Sequence, residues 1–134
     1  MKILIVASFN KHRFAPFIIE QVEALEKMGQ TVHFFGIQGH GIWGYVRNYK
    51  GLKRIIQDYK PDVIHAHYGL SGLLSVLQRR VPVVTTFHGS DINNRKVLPF
   101  SKLAMKLSAF TIFVSQKNVD IARPTEKFAL LPCG

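Results

Sequence analysis

Cysteine is almost missing from this sequence: its 134 residues contain one, Cys133. A single thiol excludes an internal disulfide and fits a reducing compartment. Long apolar runs are missing too. Ile3 to Ala7 is too short for a signal-peptide core or a membrane span, and it gives way at once to Asn10-Lys11-His12-Arg13. The expected location is therefore the cytosol. Negative charge is scarce, with eight Asp and Glu against eighteen Lys and Arg, for a net +10 and a pI near 10.1. That balance suits an anionic partner, whether nucleic acid, a phosphorylated metabolite or an acidic lipid surface, and equally a solvated basic surface that aids solubility.

Several chemical signatures are absent as well. There is no P-loop lysine motif, and none of Ser71, Ser75, Ser90 and Ser115 sits in a G-x-S-x-G elbow. Glu20, Glu23 and Glu26 fall on the outer face of a helical pattern, so no close carboxylate pair is available for two-carboxylate glycosidase chemistry. Interleaved stacking aromatics and a recognisable reading module are also lacking, which argues against a nucleic-acid partner.

What is there describes one globular domain, 47% hydrophobic and 19% charged. "KILIVA" (2–7), "TVHFFGI" (31–37), "DVIHAH" (62–67), "PVVTTF" (82–87), "FTIFVS" (110–115) and "FALL" (128–131) are short β-branched or aromatic runs. Most are continuously apolar, as strands covered on both faces must be. Helical patterns separate them. "PFIIEQVEALEKMG" has proline in its first turn and glycine as a stop, and "GYVRNYKGLKRIIQDY" carries Tyr45, Tyr49, Leu52, Ile56 and Tyr59 on one stripe. "GLSGLLSVLQ" is apolar nearly all round, and "PFSKLAMKL" is short and amphipathic. The alternation predicts an α/β fold, a three-layer doubly wound parallel sheet with default strand order 3-2-1-4-5-6. In that order the ligand crevice lies between the ends of strands 1 and 4. The loops there are Ser8-Phe9-Asn10-Lys11-His12-Arg13 and His88-Gly89-Ser90-Asp91.

"GHGIWG" (39–44) matches G-x-G-x-x-G between a strand and a helix, but no acidic residue ends the following strand to hold a ribose. A glycine-rich loop is the better reading, with Ile42 and Trp43 free to meet an apolar ligand or a membrane. His65 and His67 share one strand face and with His88 make a conceivable three-histidine metal site. No Cys, Glu or Asp cluster accompanies them, so hydrogen-bonded histidines and no metal are expected. Gly89 permits a close backbone approach, while Ser90 and Asp91 suit a cap whose free N–H groups face an anion. Arg47, Lys50 and Arg54 on the second helix, and Arg95, Lys96, Lys102 and Lys106 near the fourth, suit an anionic membrane surface.

Taken in order, "PFIIEQVEALEKMGQTV", "PDVIHAHYGLSGLLSVL", "VPVVTTFHGSDIN", "SAFTIFVS" and "LLPCG" resemble the amino-terminal, Rossmann-like domain of GT-B glycosyltransferases of family 4. The resemblance spans essentially the whole chain, residues 1–134. It implies a retaining transferase that uses a nucleotide-diphosphate sugar as donor and needs no metal or other cofactor. The acceptor, a glycan or a lipid-linked molecule, is then held by this domain at the inner membrane face. His88 is implied to contact the transferring sugar, and Ser8, Asn10, Lys11 and Arg13 to face acceptor or phosphate groups. His67, Gly89, Ser90 and Asp91 complete the implied substrate-binding set, with Asp91 ordering its loop. The first-strand loop departs from many members: a glycine pair is replaced by Phe9-Asn10-Lys11-His12, so side-chain charge must stand in for a backbone cradle. "LLPCG" resembles the crossing into a second, donor-binding domain, and without that partner no sugar transfer is expected. Two other classes remain: a stand-alone module for anionic lipid or phosphorylated ligands, and a nucleotide-dependent oxidoreductase or epimerase domain using "GHGIWG".

Overall fold

The computed structural model describes residues 1–10, 12–93, 95–124 and 127–131, with residues 41, 42 and 90 as backbone only. Six parallel strands form one sheet: β1 Lys2–Ser8, β2 Thr31–Ile37, β3 Val63–His67, β4 Val83–Phe87, β5 Phe110–Phe113 and β6 Phe128–Leu130. Between them run α1 Pro16–Lys27, α2 Gly41–Val46, α3 Tyr49–Tyr59, α4 Gly69–Val76, α5 Ser90–Asn93, α6 Leu98–Leu107 and α7 Gln116–Ala122. The fold class is the expected one.

The strand order is not. It reads β2-β1-β3-β4-β5-β6, so β3 lies beside β1 and the reversal falls between β1 and β3 instead of between strands 1 and 4. Burial explains the difference. In β3 the residues from Ile64 to His67 are buried, whereas β2 exposes Thr31 and His33 and suits an edge. The backbone of Lys2 also donates to the Asp62 carboxylate (2.8 Å), and Asp62 N–H returns to the Lys2 carbonyl (2.8 Å), which pins the start of β3 to β1.

Alternation along the strands assigns the helices to faces. Ile3, Ile5 and Ala7 pack under Ile18 and Val22 of α1. Leu4 and Val6 face the other way, toward Leu52 and Ile56 of α3 and Leu74 of α4. Phe87 and Phe113 sit on that second face with Ala104 of α6 and Ala122 of α7. Among the described helices α1 therefore covers one face alone.

The expected single helix over 44–59 is broken in two. The Asn48 side chain donates to the carbonyls of Gly44 (2.7 Å) and Gln38 (3.0 Å), so its amide competes with the helical ladder and the chain kinks there. Helix α7 carried no expectation; Ser115 caps it, its hydroxyl accepting from Asn118 N–H (3.3 Å).

Helix α4 approaches the sheet closely because of Gly72. A Cβ there would lie 2.5 Å from Thr85 Cγ2 and 2.6 Å from Thr85 Oγ1. Gly72→Ala gains about 1 kcal/mol of helix propensity, but wedging a stiff β-branched neighbour off a buried strand costs about 1–3 kcal/mol. The clash is expected to win, lowering the urea midpoint; an unchanged or raised midpoint would show that α4 can slide.

Candidate functional site

The carboxyl ends of β1 and β3 open onto two adjoining cavities, each of about 420 Å³. Ser8, Asn10, His40 and Tyr68 line both. Arg13 and the start of α1 complete one; Tyr45, Leu70 and Asp91 complete the other. The crevice thus faces the end of β3, and the loop after β4 enters it from one strand further than expected.

Asn10 does more than face a ligand. Its amide donates to the Gly39 carbonyl (2.9 Å) and accepts from Gly39 N–H (2.7 Å), tying the glycine-rich loop to the end of β1. Gly39 has φ 132° and lies against Gly44, where a Cβ would come within 2.8 Å of the Gly44 Cα. Those two glycines therefore serve a close crossing of the loop over its own helix. Lys11 lies outside the described residues, as do Cys133 and the end of "LLPCG". Of Ser90 only the backbone is described.

Asp91 is the centre of the second wall. Its buried carboxylate accepts from Gly69 N–H (2.8 Å), Gly89 N–H (3.0 Å) and His88 N–H (3.2 Å). One side chain thereby joins the start of α4 to the turn after β4. The Asp91 carboxylate thus caps backbone N–H groups that precede it in the turn and at the start of α4. Burial pushes the Asp91 carboxyl above its ordinary range, while the backbone donors pull it back.

The histidines form a stack. His65 Nε2 meets Thr86 Oγ1 (2.7 Å), and His67 Nδ1 meets His88 Nε2 (3.0 Å). Ring centroids are 4.4 Å apart from His65 to His67 and 5.2 Å from His67 to His88. His67 Nε2 is buried without a partner among the described residues. Burial lowers all three, His65 to about 4, His67 to about 2 and His88 to about 4; neighbouring histidines lower the first two further. At neutral pH the stack is uncharged, so each ring has one N–H donor and one bare nitrogen.

His88 is half-buried between Phe17 and Tyr68, with centroids 4.6 Å from each, and it stands beside the two cavities without lining either. Tyr68 was not foreseen in the crevice. Its φ of 79° is unusual for a bulky residue, and its N–H donates to the Thr86 carbonyl (2.8 Å). Backbone strain held in this way collects at functional sites. Of the residues expected at the site, the fold brings Ser8, Asn10, Arg13 and Asp91 onto the crevice, with Gly89 bound to Asp91 and His67 behind His88.

The model of the family described as Glycosyltransferase Family 4 matches residues 19–134. No curated protein sequence matches. Among solved structures, sucrose-phosphate synthase from Thermosynechococcus elongatus superposes with a TM-score of 0.79 at 15% identity, covering 100% of this chain and 48% of that one. UDP-GlcNAc 2-epimerase from Methanocaldococcus jannaschii gives 0.68 at 16% identity, covering 97% and 45%. The Neisseria meningitidis 2-epimerase bound to UDP-GlcNAc gives 0.66 at 16%, also covering 97% and 45%. The chain spans about half the length of the structures it matches.

Proposed function

This chain belongs to glycosyltransferase family 4 and has the Rossmann-like fold of an amino-terminal GT-B domain, and from that premise we propose that it is the acceptor-side half of a sugar-transferring enzyme. The donor is a nucleotide-diphosphate sugar, held by a second domain, and transfer proceeds with retention and without a metal. The observation that carries this reading is the crevice where β1 and β3 diverge. Ser8, Asn10 and Arg13 stand on one side, and Tyr68 with the Asp91-locked loop stands on the other.

In this reading the crevice positions the acceptor hydroxyl, and Arg13 draws in phosphate or other anionic groups. His88 meets the transferring sugar as a neutral imidazole. Its Nε2 is engaged by His67, leaving Nδ1 as the atom to bond a sugar hydroxyl. A neutral ring positions the sugar by hydrogen bonding and adds no charge to the ground state. The second domain would supply the remaining contacts to the transition state. The exposed Trp43 and the basic side chains of α3 and α6 favour a peripheral contact with an anionic membrane at the cytoplasmic face.

The fold is shared with epimerases, so fold likeness does not choose between transfer and epimerisation; the family match favours transfer. His88→Ala in the full-length protein tests the reading. Sugar transfer is expected to fall by about a hundredfold, on the scale of losing an oriented transition-state contact. That fall is beyond a stability loss of about 1–3 kcal/mol from stranding His67 Nδ1, with rates read at a temperature where the variant stays folded. Wild-type transfer rates in that variant would remove His88 from the site.

A further inference from the structure

Helix α4 carries leucines where a sheet-covering helix usually meets water. Its buried side is small, with Ser71, Gly72 and Ser75, and Gly72 lies against Thr85 of β4. Its outer side presents Leu70, Leu73 and Leu77, one above another at helical spacing. These leucines, with Leu74, form the floor of a groove of about 210 Å³. Tyr45 and Val46 of α2 make one wall, and Phe100 and Leu103 of α6 make the other. Packing leaves much of it open: Leu77 is 50% exposed, Val46 46% and Leu103 45%. The lining has almost no polar atom, so water in the groove finds few hydrogen-bond partners.

The groove does not stand apart from the crevice. Tyr45 and Leu70 line both. One path thus runs from Arg13, past Ser8, Asn10 and Tyr68, and then along the leucines of α4. Its first part gathers the polar side chains of Ser8, Asn10, His40 and Tyr68, the cation Arg13 and the carboxylate Asp91 beside apolar Phe14 and Ile18. Its last part is hydrocarbon alone. A free glycan has nothing to place in the second part, whereas an amphiphile matches both.

We infer that the α2–α4–α6 groove binds the alkyl or isoprenoid chain of a lipid-linked acceptor whose anionic, hydroxylated head lies in the crevice. The inference rests on the transferase reading and commits it to one acceptor class. The chain enters at Tyr45 and Leu70 and leaves toward solvent at Leu77 and Leu103. The exposed cations Arg47 and Lys102 adjoin groove residues Val46 and Leu103 in sequence, where they favour an anionic lipid surface receiving the rest of the chain.

The test is calorimetric titration of the full-length protein with butyl, hexyl, octyl and decyl phosphate, each below its micellar concentration. Affinity is expected to rise twofold to about fourfold per added methylene until the groove is full. Leu103→Lys and Leu77→Lys, both at exposed positions that the fold tolerates, are expected to flatten this rise while leaving butyl phosphate binding unchanged. Arg13→Ala is expected to weaken every chain length by the same factor. Affinity that ignores chain length, or a rise that survives both leucine variants, would overturn the inference. So would sedimentation showing a dimer that either lysine variant dissociates, because the groove would then be covered by a second copy. Chain-length dependence without any sugar transfer would instead keep the groove and retire the transferase reading. Transfer to a water-soluble glycan with no alkyl dependence would do the reverse.

Discussion

Replacing Asp91 with alanine is expected to destabilise the folded chain by about 3–5 kcal/mol, the cost of stranding several buried donors. Three backbone N–H groups, of Gly69, His88 and Gly89, lose their acceptor at once. An unsatisfied buried donor costs about 1–3 kcal/mol, and water entering the vacated space recovers part of the sum. Asp91→Asn tests the geometry. Gly69 bonds one carboxylate oxygen and Gly89 the other, while His88 N–H reaches both (3.2 and 3.4 Å). Either orientation of the amide therefore turns an NH₂ against an N–H, and roughly half the loss is expected. Both substitutions also release the turn that carries His88, so transfer by the full-length protein should fall further than stability alone explains. Urea denaturation measures the first effect, and initial rates at a temperature where the variant stays folded measure the second. An alanine variant as stable as the parent would mean that the loops hold each other without Asp91.

Acid is expected to unfold the chain well above the carboxylate range. His65, His67 and His88 are lowered in the folded state, so the unfolded chain binds their protons first. Stability from these groups is complete above pH 6.5 and is lost as pH falls toward about 4, with His67 losing more down to about 2. Each fully buried histidine contributes about 1.4 kcal/mol per pH unit in that window. Between pH 6.5 and 5.5 the unfolded histidines are only partly protonated, so with the more exposed His88 discounted the loss there is about 2 kcal/mol. Asp91 works the other way: its contribution is full below the ordinary carboxylate range and declines as pH rises through its raised value. The check is the slope of unfolding free energy against pH. His67→Asn should reduce that slope by about one proton, even if it also lowers stability throughout. A flat profile from pH 7 to 5 would mean that the stack is hydrated and titrates normally.

The strands were legible in the sequence because burial on two faces leaves nearly unbroken apolar runs. Their order was not, because lateral position depends on pairing between distant segments. The clue lay in the contrast between polar Thr31 and His33 in β2 and the unbroken burial of β3, with Asp62 placed to meet Lys2. Asn48 could have warned of the break between α2 and α3, since its amide bonds nearby carbonyls. Ser115 was a readable cap for α7. At the site, Ser8, Asn10, Arg13 and Asp91 were legible as polar residues at strand ends. Tyr68 was not, because no local pattern announces a tyrosine at φ 79°. Nor does sequence reveal that Asn10 would hold Gly39, a contact made across 29 positions.

The place of β1 between β2 and β3 also sets an order of assembly. Lys2 pairs with Thr31 and Ile3 with Val63, so the two edges of β1 close loops of very different length. The shorter β1–α1–β2 unit can form as soon as residue 37 is available, but one flank of its central strand then carries unpaired N–H and C=O groups. It stays so until β3 arrives, held in place at its start by Lys2 and Asp62. During synthesis, at about 5–20 residues per second, that bare flank persists for seconds. It is the interval in which a nascent chain is most open to pairing with a neighbouring copy.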